Sequence, residues 1–345
     1  MTEERFVTST LNKKDVSFDE TIRPQFFKDF PGQKKVKERL ELFVQAAKER
    51  NEPLGHILLS GPPGLGKTTL AYIIANAKGA KLKSSSGPVI EKPGDLAGLL
   101  TSLQEGDILF IDEIHRLQTN VEEYLYSAME DYFIDIMLDQ GAGARSIRLN
   151  LKKFTLVGAT TRKGLLSSPL RSRFQLDCLL NYYPAEDLKK IVKRSAEILK
   201  IEIDEDGAYE LAKRSRGTPR IANNLLRWAR DYAQVRVDNK ITAKVASDAL
   251  DMLDIDENGL DEMDKRILDA LVQKFYGIAV GIKNIAVTVG EEVGTIEEVY
   301  EPYLIQEGYI MRTRLGRIAT NKTYKLLGLP PPERLSGNEL QQDLL

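Results

Sequence analysis

Cysteine and histidine are scarce in this chain, which has one cysteine and two histidines in 345 residues. A single cysteine excludes an internal disulfide framework, and two histidines leave few ligands for a zinc site. Cys178 lies in the apolar run QLDCLL, which predicts a buried structural thiol. No apolar run approaches the ~20 residues that span a bilayer, and the acidic start MTEERFVTST shows no secretory signal. These absences predict a cytoplasmic protein that does not enter the membrane.

The composition is that of a globular protein, with 42% hydrophobic and 29% charged residues and a net charge of −2. Helical patterns separate most of five short β-rich runs, which predicts an α/β fold with a mainly parallel sheet covered on both faces. The runs are 56–61, 80–86, 107–113, 154–161 and 174–180. From Ala185 to about Asp254 the pattern predicts amphipathic helices only, and the acidic DIDENG that follows predicts a linker.

The stretch GPPGLGKT, Gly61 to Thr68, fits the phosphate-binding pattern G-x-x-x-x-G-K-[ST]. Gly61, Gly64 and Gly66 let the backbone curl so that several N–H groups point toward phosphates, and the next helix adds its positive N-terminus. Lys67 would then reach the outer phosphates, and the Thr68 hydroxyl would bind Mg²⁺. The alternative is a plain Gly/Pro turn. The strand pattern HILLS before the loop and the helical pattern after it favour the phosphate site.

The run DILFIDEIHR predicts a buried strand that ends in two acids. Ligands of open α/β sheets bind at the carboxyl ends of the strands. Asp112 is therefore a candidate for the Mg²⁺ site, and Glu113 for the base that polarises the attacking water. Both acids would also suit a helix N-cap. His115 has a weaker claim on function, since it fits an ordinary histidine at a helix start.

Further candidates follow later buried segments. Thr161 ends the strand pattern FTLVGATT, where its hydroxyl could contact the γ-phosphate or the water, although strands often end in hydroxyl residues. Arg171 and Arg173 could stabilise charge on a transferring phosphoryl group or could be solvated surface arginines. Arg220 follows Pro219 at a helix start and could reach the phosphates or lie on the surface.

An alternating segment interrupts the α/β rhythm between the acidic strand and the next buried strand. Ile134, Ile136 and Leu138 alternate on one arm, and Ile147, Leu149 and Leu151 on the other. The pattern predicts a hairpin with one apolar face. That face either packs on the domain's own core or docks a partner.

Three arginines lie close together in YIMRTRLGR near the C-terminal end. Two short strands around Leu315-Gly316, preceded by amphipathic helices, predict a winged helix. Alternation puts Arg312 and Arg314 on one face of a strand, with Gly316 marking the turn and Arg317 just past it. The three arginines are candidates for sequence-tolerant contacts with DNA phosphates, with Arg312 and Arg317 favoured, or they form a solvated hairpin face.

Taken together, the motifs resemble the AAA+ ATPases and, within them, the RuvB family of Holliday-junction branch-migration motors. The resemblance is carried by GPPGLGKTTLA, LFIDEIHRL, EDYFIDIMLDQGAGARSIRLNL, LVGATTRKGLLSSPLRSRF, SRGTPRIANNLLRW and EPYLIQEGYIMRTRLGR, and it covers roughly 18–335. It implies a P-loop domain at 1–184 with a hairpin inserted at about 133–152, a helical lid at 185–256, a winged helix at 257–335 and a tail at 336–345. It also implies a hexameric ring around DNA that uses ATP and Mg²⁺ and works with RuvA and RuvC.

The resemblance gives roles to the ambiguous residues. Thr161 becomes sensor 1, Arg220 sensor 2, and Arg173 the arginine finger donated to the adjacent subunit, with Arg171 as the alternative finger. The apolar hairpin becomes the surface for RuvA, with Ile147 and Leu149 as its contacts. The implied nucleotide-binding residues are Ile22, Arg23, Gly61, Gly64, Gly66, Lys67, Thr68, Thr69, Glu130, Asp131, Tyr132, Arg173, Tyr183 and Arg220.

These observations predict an ATP-driven DNA translocase that moves Holliday junctions in recombination and repair. Two other functions remain open from the sequence. An ATP-switched loader or regulator would bind DNA without moving along it. A monomeric P-loop kinase would transfer phosphate to a small molecule and would leave the finger arginine and the wing unused.

Overall fold

A computed structural model describes residues 21–137 and 146–332. The expected parallel sheet is present, with strand order β2-β3-β6-β1-β7. Its strands are β1 Ile57–Ser60, β2 Leu82–Ser86, β3 Ile108–Asp112, β6 Thr155–Thr160 and β7 Leu176–Leu179. β1, β3 and β6 are almost wholly buried, because Leu, Ile, Phe and Val side chains fill both faces of a sheet covered by helices.

The order of the strands places three candidate segments side by side. β6 pairs with β1 on one side and with β3 on the other, all in parallel. The loop after β1, the residues after β6 and the acids after β3 therefore emerge at the same edge. The helices up to residue 198 are α1 Lys34–Glu49, α2 Lys67–Lys78, α3 Pro93–Thr101, α4 Thr119–Glu130, α5 Ser168–Ser172 and α6 Ala185–Ile198. Single 3₁₀ turns lie at Phe27–Asp29, Gly87–Val89, Ile114–Arg116 and Lys163–Leu165.

The predicted hairpin is formed by β4, Phe133–Met137, and β5, Ser146–Asn150, in antiparallel register. Ile134 is buried in the core of the domain, and Leu149 packs against that core from the pairing position. Ile147 is 46% exposed. The base of the face therefore packs on the domain, which is one of the two predictions, and its outer part is accessible; docking of a partner there stays a prediction. Leu138 and the tip lie outside the described residues.

The second half contains helices and two small β pairs. The helices are α7 Glu205–Lys213, α8 Pro219–Arg236, α9 Ala243–Asp251, α10 Glu262–Asp269, α11 Ile282–Val289, α12 Val293–Thr295, α13 Glu301–Gln306 and α14 Asn321–Leu326, with π-helical segments at Ala270–Lys274 and Ile296–Tyr300. The prediction of helices only before Asp254 was wrong. β8, Glu202–Ile203, pairs in parallel with β9, Lys240–Ile241. Strands of two residues are too short to show a period of two in the sequence.

The wing consists of β10, Ile310–Thr313, and β11, Gly316–Ala319, in antiparallel register. The prediction that Arg312 and Arg314 share a strand face was wrong, because Arg314 lies in the two-residue turn and Gly316 already pairs with Thr313. Gly316 has φ 145°, and a Cβ there would lie 2.3 Å from backbone atoms of Val280. A glycine is needed at this position for that close approach, not for the turn itself.

Contacts divide the described residues into two compact units. One holds 21–191 and 218–220, and the other holds 192–217 and 221–332. This division falls inside α6, whereas the sequence placed the start of the lid at Ala185. In the part of the chain that the structure describes, no helix is long and apolar enough to cross a membrane.

Candidate functional site

The phosphate loop has the curl that its glycines predict. Gly61, Gly64 and Gly66 have φ values of 138°, 77° and 96°, a region that side chains rarely allow. A Cβ on Gly61 would lie 2.4 Å from the carbonyl oxygen of Leu180, so no other residue fits there without movement. α2 begins immediately after the loop, at Lys67. The arrangement combines a glycine curl with a helix N-terminus, which is the geometry that binds anions.

Lys67 lies buried within this loop. Its Nζ donates hydrogen bonds to the carbonyl oxygens of Gly61 and Pro62, each 2.7 Å long. Burial lowers the pKa of Lys67 to about 8, against the opposing charges of Asp112 and Glu113 and together with the charge of Arg220. The acids after β3 and the sensor 2 candidate are therefore close enough to act on this ammonium group.

The acids and the loop threonine meet at the end of β3. Thr68 Oγ1 lies 3.3 Å from Asp112 Oδ2, and Asp112 Oδ1 accepts a hydrogen bond from the backbone N–H of Glu113 at 2.9 Å. Glu113 has φ 46°, a positive value that turns the chain sharply after the strand. Its carboxylate forms an exposed ion pair of 2.9 Å with Arg116. Such a pair is worth about 0–1 kcal/mol and leaves Glu113 available for other partners.

The end of β6 lies between these two groups. The buried Thr160 hydroxyl contacts His115 Nδ1 at 3.0 Å and accepts the backbone N–H of Arg162 at 3.0 Å. His115 therefore ties the segment after β3 to the end of β6. Thr161 follows directly and is partly exposed.

The remaining nucleotide candidates of this unit flank the loop. Ile22 is buried, and the guanidinium carbon of Arg23 lies 4.6 Å from the centre of the Tyr72 ring on α2. Tyr183 is buried, and its hydroxyl donates to the carbonyl oxygen of Leu65 at 3.3 Å. Burial raises the pKa of Tyr183 above its ordinary value, so the phenol stays neutral. Thr69 lies half-buried in the first turn of α2.

Arg173 and Glu130 are brought together, although 43 residues separate them. Arg173 Nη2 lies 3.0 Å from Glu130 Oε2, and Nη1 donates to the carbonyl oxygen of Pro169 at 2.8 Å. The Arg173 side chain is 18% exposed, whereas Arg171 is exposed.

The other two candidates of this segment follow Glu130 directly. Asp131 lies at the end of α4 with its side chain exposed. Tyr132 stands edge-on to Phe154, with ring centres 6.0 Å apart.

Two of the three wing arginines, Arg312 and Arg317, are held by one carboxylate that the sequence did not single out. Glu301 is 1% exposed, and its two oxygens accept two hydrogen bonds from Arg312, at 2.6 and 2.8 Å, and two from Arg317, at 2.9 and 3.1 Å. Burial alone would raise the pKa of Glu301, but the two guanidinium groups outweigh it and hold the pKa below its ordinary value. Arg317 also contacts Glu297 at 3.2 Å.

These contacts determine how accessible each of the three candidate arginines is to DNA. Arg317 is 14% exposed and Arg312 is 56% exposed. Arg314 stands exposed in the turn beside Leu315, which is 74% exposed. A groove between the start of α11 and the wing is lined by Lys283, Asn284, Arg314 and Arg317, among others. Of the three arginines, Arg314 therefore combines exposure with a position outside the Glu301 contacts.

A buried ionic cluster joins the lid segment before α8 to the start of the winged helix. Arg216 pairs with Asp264 and, at 3.2 Å, with Asp261, and its Nε donates to the carbonyl oxygen of Gly259 at 2.9 Å. The Tyr303 ring lies 5.0 Å from the guanidinium carbon. The acidic stretch predicted as a linker therefore forms part of an ordered interface.

Several of these contact residues were missed by sequence reasoning. Glu301 is separated from its arginine partners by 11 and 16 residues, and no short motif signals such a pairing. Tyr126 packs its ring 4.6 Å from the guanidinium carbon of Arg173. A signal for Tyr126 exists in hindsight, since it stands four residues before Glu130 on one helix and so shares its face.

Comparison with known proteins gives consistent matches along the chain. Family models match residues 22–180 as the Holliday junction DNA helicase RuvB P-loop domain, 183–256 as the RuvB AAA lid domain and 257–328 as the RuvB C-terminal winged helix domain. The Holliday junction branch migration complex subunit RuvB of Chlorobaculum tepidum is 62% identical over 89% of each chain, and that of Salinibacter ruber is 59% identical over 91% of each. A solved structure of the Thermotoga maritima RuvB Holliday junction branch migration motor superposes with a TM-score of 0.82 at 48% identity, covering 90% of this chain and all of the other.

Proposed function

The chain belongs to the RuvB family of ATP-dependent AAA+ motors of Holliday junction branch migration, and on that premise we propose how its own residues run the ATP cycle. The observation that carries the proposal is the meeting of three strand ends at one edge of the sheet. The phosphate loop, the acidic pair and Thr161 emerge from β1, β3 and β6, which are direct neighbours in the order β3-β6-β1.

Nucleotide binding falls to the loop and its surroundings. The backbone N–H groups between Gly61 and Lys67 face the β- and γ-phosphates, and Lys67 exchanges its carbonyl partners for phosphate oxygens. Tyr183 and Ile22 border the nucleoside, while Arg220 contacts the phosphates from the start of α8. The effect of Arg220 on the pKa of Lys67 supports its place in the site.

The residues present fit Mg²⁺, which favours hard oxygen ligands and near-octahedral geometry. Thr68 Oγ1 and Asp112 Oδ2, 3.3 Å apart, supply a hydroxyl and a carboxylate oxygen on the same side of the loop. Bound there, the ion would neutralise charge on the phosphate oxygens. Glu113 would orient the attacking water and take its proton, and Thr161 would hold the water or the γ-phosphate in line.

The adjacent subunit completes the site with Arg173. A guanidinium stabilises the charge that spreads over the transferred phosphoryl group and is worth about 10³–10⁵ in rate where it serves as a finger. A residue donated across an interface needs an oligomer, and we propose the hexameric ring implied by the family. Arg173 is favoured over Arg171 because contacts fix its guanidinium, whereas Arg171 extends into solvent.

DNA and protein partners occupy other surfaces. We propose that DNA phosphates bind the wing, with Arg314 at its tip. The acidic segment 293–306 contains Glu297, Glu298 and Glu301 and no lysine or arginine, so we propose that it does not contact the DNA. The accessible Ile147 and its neighbour Leu149 form the RuvA contact. RuvC belongs to the same proposed assembly. We also propose a cytoplasmic location, because the protein acts on DNA.

Migration of a four-way junction tests this function. The parent chain should move the junction with ATP and RuvA, and Glu113→Gln should bind ATP and junction but move nothing. Bound DNA without strand movement by the parent would instead support an ATP-switched loader. A second variant, Ile147→Asp, tests the hairpin. RuvA should no longer stimulate its junction migration, while its ATP hydrolysis on DNA alone should stay at the parental rate. Unchanged stimulation by RuvA would show that the hairpin is not the RuvA contact.

A further inference from the structure

One face of α4 is built around the guanidinium of Arg173. Glu122, Tyr126 and Glu130 are spaced four residues apart on this helix, and residues at that spacing lie one above the other. Tyr126 places its ring 4.6 Å from the Arg173 guanidinium carbon, and Glu130 and the Pro169 carbonyl accept its two terminal nitrogens. A stacked ring fixes the plane of a guanidinium, and two hydrogen bonds fix its rotation within that plane.

The Tyr126 ring is itself held at its far end. Its hydroxyl donates to Glu122 Oε1 at 2.9 Å and lies 3.1 Å from the hydroxyl of Ser167. Ser167 also donates to Glu122 and caps α5, the short helix that ends just before Arg173, by accepting the backbone N–H of Leu170. The ring is therefore tied both to α4 and to the element that carries the arginine.

A free arginine side chain has rotamer entropy to lose when it docks. A catalytic group that is already oriented does not bear that cost during the reaction. The three contacts on Arg173 remove this freedom before any neighbour arrives. Nε of Arg173 is buried and has no hydrogen-bond partner among the described residues, so the orientation rests on the ring and the two terminal nitrogens.

We propose that Tyr126 is a positioning residue for the arginine finger: its ring, anchored by Glu122 and Ser167, holds the Arg173 guanidinium in the orientation that serves the ATP site of the adjacent subunit. The proposal rests on the proposed role of Arg173. It predicts that Tyr126 affects the neighbour's site and leaves the phosphate loop of its own chain intact.

The test compares Tyr126→Leu, which removes the platform, with Tyr126→Phe, which keeps the ring and loses only the hydroxyl. With the full chain on duplex DNA, Tyr126→Leu should lower kcat for ATP about tenfold, as expected for the loss of about 1.4 kcal/mol of orientation, with KM changed less than twofold. Tyr126→Phe should recover most of this loss. Arg173→Ala should lower kcat about a thousandfold or more. A Tyr126→Leu variant with parental kcat, or one whose loss appears only in KM, would overturn the proposal.

Mixed rings separate positioning from misfolding. A Lys67→Ala chain has an inactive loop but a normal finger, so adding it to Arg173→Ala should restore ATP hydrolysis at mixed interfaces, and adding it to Tyr126→Leu should do the same. The doubly changed donor Lys67→Ala/Tyr126→Leu should restore Arg173→Ala about tenfold less well. Equal restoration by both donors would refute the role of Tyr126 while leaving Arg173 as the finger. No restoration by Lys67→Ala of Arg173→Ala would instead refute the finger. A Tyr126→Leu chain that Lys67→Ala does not rescue would assign the residue to folding of its own loop.

Discussion

Replacing Glu301 should loosen the wing, because a single buried carboxylate holds both of its strands. Arg312 stands on β10 and Arg317 directly opposite on β11, and each places two hydrogen bonds on Glu301. In Glu301→Ala both guanidinium groups lose this partner. Removing one member of a buried ion pair costs about 3–5 kcal/mol.

The structure places the effect at the lower end of that range. Arg312 is 56% exposed and can regain water, whereas Arg317 is only 14% exposed and stays poorly solvated. We therefore expect about 3 kcal/mol for Glu301→Ala. Glu301→Gln keeps the volume and one acceptor oxygen, so it should lose less, about 1.5–3 kcal/mol, the range of hydrogen bonds to charged groups.

Hydrogen exchange of the full chain measures the loss of wing stability amide by amide. A loss of about 3 kcal/mol corresponds to exchange more than a hundredfold faster, since 1.4 kcal/mol is a factor of ten, and it should be confined to wing amides between Ile310 and Ala319. Glu297→Gln is the matched control. This substitution removes one contact of 3.2 Å to Arg317 from a glutamate that is itself partly exposed. It should change the free energy of wing opening by less than 1 kcal/mol. Wing amides with parental exchange in Glu301→Ala would refute the anchoring role.

Three further outcomes are expected from the charged groups of this half of the chain. Arg314→Ala should lower the slope of log affinity for DNA against log salt by about 1 without destabilising the fold, measured by titration at several salt concentrations; an unchanged slope would remove Arg314 from the phosphate contacts. Because Glu301 has a depressed pKa, its stabilisation is present above the ordinary Glu value of about 4.3 and is lost as the pH falls through the lower folded value; the protection factors of the wing amides, which are corrected for the intrinsic exchange rate at each pH, should fall in acid for the parent and show less pH dependence in Glu301→Gln. Arg216→Met should leave Asp264 buried without its cation and cost about 3–5 kcal/mol, seen by calorimetry as a lower melting temperature; an unchanged melting temperature would show that the cluster does not stabilise the contact between the lid segment and the start of the winged helix.

Local pattern predicted much of this fold and the local geometry of the proposed nucleotide site. The five strands, the curl around Gly61 and the acids at Asp112 and Glu113 are each specified within a few residues, by burial, by backbone freedom or by position at a strand end. Thr68 and Asp112 could be joined because both belong to segments whose place in an α/β sheet is set by topology. The family resemblance then supplied roles that spacing left open.

Contacts between distant segments could not be read in the same way. Glu301 reads as one more acid in an acidic helix, and only the fold brings it under two arginines. Arg314 was wrongly placed on a strand because the turn consists of only two residues. Gly316 already lies in β11, and a glycine is needed there because the backbone of Val280 lies so close. The pair β8–β9 joins segments that are 38 residues apart, Glu202–Ile203 and Lys240–Ile241, and strands of two residues are too short to show an alternating pattern in the sequence. In each case the deciding interaction spans more chain than a sequence window covers.

The most direct test of the account is Lys67→Ala, measured for ATP hydrolysis and for junction migration with RuvA in the same samples. Both should be lost, while binding to DNA, which we propose depends on the wing, should stay within about twofold of the parent. ATP turnover or junction movement at the parental rate would contradict it.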